Sequence, residues 1–177
     1  MKDQTFEAIL QAASELFAER GVYGASLGDI AKRLDMSKGT LYYYFPTKDE
    51  LVNAAAERCV KGISGRLMAW VDTVREAGDP EEALNGLCDA FTAGNALRVF
   101  MALNNAVEPD TALEQTIDRA MGEWNVIIEV GALRLPSDAA ARMKRMLSAV
   151  LPFLCGLAGL NADVDYMKEA FAALILG

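Results

Sequence analysis

The sequence predicts an all-α protein, and three observations predict it. Apolar residues recur at i, i+3, i+4 and i+7 through almost every segment. Hydroxyl residues followed three positions later by an acid stand where those segments begin, as helix caps do. No stretch alternates apolar and polar residues as a strand would. With 177 residues the chain is long enough to bury a core without disulfides.

The first helix is carried by Phe6, Ile9, Leu10, Ala13, Leu16, Phe17 and Arg20, and Gly21 can close it in the left-handed conformation. Ser26 with Asp29 then makes a capping box. It opens a helix barely two turns long, striped by Leu27, Ile30, Ala31 and Leu34. Asp35 takes a tight turn, Met36 points inward, and Ser37 caps a third helix from Lys38 to Phe45. Thr47 with Glu50 starts a long fourth helix, whose apolar period runs to Glu76 before Gly78-Asp79-Pro80 ends it. Gly62 and Gly65 interrupt it, and either close packing or a flexing point between its two halves accounts for them. Further helices are expected at 80–93, 96–107, 110–131, 137–160 and 164–176.

Two short helices joined by a few residues make a helix-turn-helix. On the third helix, Leu41 and Phe45 share the inward face, Tyr42 sits at its edge, and Gly39, Thr40, Tyr43 and Tyr44 project outward. The chain as a whole carries a formal charge of −8, yet Lys32, Arg33, Lys38 and Lys48 oppose only Asp35 between positions 32 and 48. Double-stranded DNA is the partner such a surface suits. Gly39 allows close backbone approach, Thr40 and Tyr43 reach base edges or a thymine methyl, and Lys38, Tyr42 and Lys48 hold phosphates.

An enzyme is not expected. The chain has no histidine, which removes triad chemistry, imidazole metal sites and the usual proton shuttles. Cys59, Cys88 and Cys155 are scattered and never paired as C-x-x-C, so they read as small buried hydrophobes, and no metal or cofactor motif is present. The amino terminus lacks a secretory signal pattern, and the longest apolar run, 149–160, is broken by Pro152 and two glycines. A cytoplasmic protein with no membrane segment is expected.

The stretch FEAILQAASELFAERGVYGASLGDIAKRLDMSKGTLYYYFPTKDELV, and SKGTLYYYFPTKDEL within it, resembles the tetracycline-repressor (TetR) family of bacterial transcription regulators. The resemblance implies a helix-turn-helix DNA-binding domain over 1–47 and a larger helical effector-binding and dimerisation domain over 48–177, with the fourth helix as connector. It also implies that Ser26 contacts phosphate and that Ser37, Lys38 and Gly39 lead the recognition helix. Thr40, Tyr42, Tyr43 and Tyr44 follow on its DNA-facing sides, and Lys48 grips phosphate. Asp35 departs from the family, many of whose members have glycine in that turn.

The stretch MLSAVLPFLCGLAGL, 146–160, is apolar all round and needs cover on every side. A homodimer would supply it, aided by Tyr166, Met167, Ala170, Phe171 and Leu174, and would present two recognition helices about 34 Å apart to a palindromic operator. A small apolar or aromatic effector is expected among the middle helices. There Trp70, Cys88, Phe91, Phe100, Met101, Asn104, Met121, Trp124 and Phe153 offer apolar walls and a few polar handles. The expected function is that of a ligand-responsive transcriptional regulator, a repressor released from its operator when the effector binds.

Overall fold

The computed structural model describes residues 2–77 and 79–135. Among them are seven α-helices and no strand: α1 (Lys2–Arg20), α2 (Leu27–Arg33), α3 (Lys38–Tyr44), α4 (Lys48–Ala77), α5 (Pro80–Thr92), α6 (Ala96–Asn104) and α7 (Ala112–Ala132). A single 3-10 turn, Ala93–Asn95, lies between α5 and α6. The expected helices at 137–160 and 164–176, the apolar stretch 146–160 and Phe153 lie outside the described residues. The chain divides into two compact units. One comprises the residues up to Lys61 with Arg98–Asp118, and the other Gly62–Leu97 with the described residues from Arg119 on.

In the first unit the local signals act where they stand in the sequence. Gly21 adopts φ 72° and ends α1, its N–H bonding to the Phe17 carbonyl at 2.8 Å. At the head of α2 the capping box is complete: the Ser26 hydroxyl accepts from the Asp29 N–H at 3.1 Å, and the Asp29 carboxylate accepts from the Ser26 N–H at 3.0 Å. Asp35 takes the turn at φ 50°, a left-handed conformation that aspartate tolerates better than most side chains. The Ser37 hydroxyl accepts from the Thr40 N–H at 3.0 Å and caps α3. The Thr47 hydroxyl accepts from the Glu50 N–H at 3.2 Å at the start of α4.

The core of this unit is built from Ile9, Leu10, Ala13, Leu16 and Phe17 of α1, Ile30 and Ala31 of α2, Leu41 of α3 with Phe45, and Leu51, Val52, Ala55 and Ala56 of α4, all buried. Phe6 stacks on Phe45 with ring centroids 5.1 Å apart, closing the α1 face over the end of α3. Polar ties at the surface fix the same arrangement. Arg33 holds both carboxylate oxygens of Glu19 at 2.9 Å, locking α2 to α1. Arg58 of α4 reaches Glu7 at 3.1 Å and Gln11 at 2.8 Å on α1.

Several helix ends differ from those expected, and those on either side of α6 have visible causes. The helix expected over 80–93 stops at Thr92, because Gly94 and Asn95 both take positive φ, 60° and 66°. The one expected over 96–107 stops at Asn104, where Ala106 and Val107 donate to Leu103 and Asn104, three residues back, and tighten the chain out of the α-helix. The next begins at Ala112 instead of 110. Asp110 is left-handed at φ 60°, and the Thr111 hydroxyl accepts from the Glu114 N–H at 3.2 Å, so Thr111 is the cap.

In the second unit, Ile63, Leu67, Trp70, Val71 and Val74 of α4 are buried together with Leu87, Cys88 and Phe91 of α5 and Trp124 and Ile128 of α7. The Trp70 indole donates to the Ala83 carbonyl at 2.5 Å and lies against Gly86 and Gly131, where any Cβ would meet the ring. Trp124 meets Phe91 edge to face with centroids 5.5 Å apart and donates to the Ser64 hydroxyl at 2.8 Å.

Candidate nucleic-acid interface and effector site

Capping, turn and core together decide what α3 shows to solvent. Leu41 and Phe45 are buried, whereas Lys38, Gly39, Thr40, Tyr42 and Tyr43 are exposed, Tyr43 at 69% and Tyr42 at 49%. Tyr44 is half-buried and meets Tyr43 edge to face, ring centroids 5.4 Å apart. The outward side of this two-turn helix is therefore aromatic and accessible from solvent. The Thr40 and Ser37 hydroxyls lie 2.8 Å apart, so the cap that starts α3 also restrains the side chain at its leading edge.

Ser26 and Lys38 converge from different helices. The Lys38 ammonium nitrogen and the Ser26 hydroxyl oxygen each lie 3.5 Å from the point where a Cβ on Gly28 would sit, and the Lys38 stem passes within 3.2 Å of it. Glycine at position 28 therefore leaves the space across which Lys38 reaches α2. The Ser26 hydroxyl donates to Asp29 at 2.5 Å, so it must turn from that carboxylate to donate to an incoming anion. The Ser26 bonds hold the Asp29 carboxyl below the usual carboxylate range.

The positive patch is smaller than the sequence count suggests. Arg33 is engaged by Glu19 and lies 3.5 Å from Glu15, which leaves Lys32, Lys38 and Lys48 to carry the local positive charge. Lys48 is half-buried on the rim of a cleft of about 430 Å³ within the first unit, floored by Val22, Val52 and Leu113. Across its mouth Tyr23 donates to Glu108 at 2.8 Å. Neither residue stands out in the sequence, because they are 85 positions apart.

Of the expected effector residues, Trp70, Cys88, Phe91, Met121 and Trp124 fall in the second unit, and Phe100, Met101 and Asn104 in the first. Trp70, Cys88, Phe91, Phe100 and Trp124 are buried, and Met101, Asn104 and Met121 are half-buried. Phe91 and Trp124 are brought into direct contact. Both indole N–H groups already have partners.

Sequence reasoning passed over Arg66. It donates through Nε to the Ala90 carbonyl at 2.7 Å, while its Nη2 is buried with no acceptor among the described residues. The available signal was an arginine flanked by Gly62 and Gly65, one position from the apolar stripe of α4. Nη1 lies 3.4 Å from where a Gly62 Cβ would be, so the guanidinium folds back over that glycine. No group of acidic or sulfur ligands among the described residues could hold a metal ion, and no described helix is long and apolar enough to cross a membrane.

Residues 9–55 match the family described as bacterial regulatory proteins, tetR family. The chain is 45% identical over 153 residues to the HTH-type transcriptional repressor Rv3405c of Mycobacterium tuberculosis, covering 84% of this chain and 80% of that one. It is 24% identical over 162 residues to the icaADBC biofilm operon negative transcriptional regulator IcaR of Staphylococcus epidermidis, covering 87% of this chain and 80% of the relative. Among solved structures, a protein from Saccharomonospora viridis assigned as a transcriptional regulator, in complex with choline, superposes with a TM-score of 0.78. Its sequence is 21% identical, and the match covers 98% of this chain and 96% of that one.

Proposed function

The chain belongs to the tetR family of bacterial transcriptional regulators, and from that premise we propose that it is a ligand-responsive repressor that binds a palindromic operator as a homodimer. The observation that carries this reading is the outward face of α3, where Thr40 and Tyr43 stand exposed between Lys38 and Lys48 while Leu41 anchors the opposite side in the core.

In this reading residues 1–47 form the DNA-binding domain. The amino-terminal end of α3 enters the major groove. Ser37, Lys38 and Gly39 lead, Thr40 and Tyr43 meet base edges, and Tyr42 and Tyr44 flank them. Lys38, Lys48 and Ser26 hold the phosphates on either side, which fixes register without reading sequence. Residues 48–177 bind the effector and dimerise through the apolar carboxy-terminal stretch, with α4 as connector. Effector binding favours a state whose two recognition helices no longer match successive turns of the groove, and operator affinity falls by the coupling free energy.

Repression is supported by the name of the 45% identical relative, and a small-molecule effector by the choline complex of the structural neighbour. A cytoplasmic location follows from work on DNA. The test is selection of bound fragments from genomic DNA by the purified chain, followed by footprinting. A two-fold symmetric protected site is expected. A chain that retains no duplex in the selection contradicts the reading.

A further inference from the structure

We infer that the effector is an acid: an apolar or aromatic molecule bearing a carboxylate, anchored by the guanidinium of Arg66. The inference rests on the reading of the second unit as effector-binding and deepens it. Each tryptophan there has spent its polar handle inside the protein, Trp70 on the Ala83 carbonyl and Trp124 on Ser64. Arg66 has not. Its Nε caps a carbonyl in the last turn of α5, where a cation is favoured, and that contact accounts for the position of the side chain. It does not account for Nη2, a charged donor cut off from solvent without an acceptor among the described residues.

A buried donor on a group that cannot lose its proton calls for an oxygen to receive it. Guanidinium donors favour carboxylate over neutral acceptors, since both partners are then charged and the bond is stronger. The surroundings set the rest of the ligand. Phe91, next along the chain from the Ala90 carbonyl that holds Arg66, packs against Trp124, and both are buried, so the interior on that side of α5 is aromatic and apolar. Gly62 lies under the same guanidinium, with Nη1 3.4 Å from where its Cβ would sit.

The probes are octanoate and phenylacetate, each against its primary amide, titrated into the full chain by calorimetry and followed in parallel by release of selected operator DNA. At least one acid is expected to bind about tenfold or more tightly than its amide, the worth of one charge-assisted bond, and Arg66→Gln is expected to erase the difference while the helical content is retained. Acids and amides that bind alike, or acid preference that survives Arg66→Gln, overturns the proposal. Should Arg66→Gln fail to fold, Arg66→Lys decides: it keeps the charge and loses the fork, and undiminished acid preference in it counts against Arg66. Acids that bind through Arg66 without releasing DNA leave the anchor standing and contradict the effector-released repressor instead.

Discussion

Tyr23 donates a 2.8 Å hydrogen bond to Glu108, tying the turn after α1 to the segment between α6 and α7 across 85 positions of sequence. The bond requires the neutral phenol, and the Glu108 acceptor, slight desolvation of the exposed ring and the Glu108 charge together raise the Tyr23 pKa above its ordinary 10.0. Stability from a raised group is complete below the unfolded-state value and is lost as pH rises through the folded one. The contact should therefore be insensitive to pH across the neutral range. Absorbance titration of phenolate should find one tyrosine ionising late, and Glu108→Ala should return it to the normal range. An unchanged titration curve in that variant removes the contact.

Ser26 and Asp29 give the opposite sign. The Ser26 hydroxyl bond, then its backbone bond, lower the Asp29 pKa from 3.8. Stability from a depressed carboxyl is present above its unfolded value and lost as pH falls through the folded one. Ser26→Ala should cost the same stability from neutral pH down to about pH 4 and progressively less below it. Denaturant midpoints across that range check this, and a gap that widens in acid contradicts it.

Gly131 and Gly65 should respond oppositely to alanine. A Cβ on Gly131 would collide with the Trp70 indole, which is buried and hydrogen-bonded to Ala83. Gly131→Ala should therefore destabilise by about 1–3 kcal/mol. At Gly65 a Cβ meets nothing within 4 Å among the described residues, so Gly65→Ala should stabilise the helix by up to about 1 kcal/mol. Thermal unfolding of the two variants decides, and a shared sign contradicts the packing described.

What could be read from the sequence was whatever is local. Gly21, Ser26, Asp35, Ser37 and Thr47 act through neighbours within four or five positions, so cap and turn chemistry placed α1 to α4 nearly to the residue. The α6–α7 junction was misplaced because Asp110 adopts a left-handed φ, which aspartate tolerates better than most side chains but which the helical spacing does not announce. The helical period alone divided α3 into a buried Leu41 and an exposed Tyr43. Arg33 could not be read that way. Counted in sequence it adds to the positive patch, but in the fold it is taken up by Glu19, fourteen residues earlier. The Tyr23–Glu108 tie and the unpartnered Arg66 nitrogen depend on tertiary packing in the same way.

Lys48 separates phosphate contact from base reading. If it grips the backbone, Lys48→Ala should weaken binding almost equally on operator and mixed-sequence DNA. The dependence of log affinity on log salt should flatten by about one unit. A slope unchanged from that of the parent chain takes Lys48 out of the interface.

The most direct test is the affinity of the Thr40→Ala/Tyr43→Ala double variant for the selected operator, measured beside mixed-sequence DNA at one salt concentration. Both side chains are exposed on α3, so helical content and melting temperature should hold. Operator affinity should fall by about tenfold or more toward the mixed-sequence value, which should itself barely change. An operator affinity equal to that of the parent chain would mean that this face of α3 does not read the duplex.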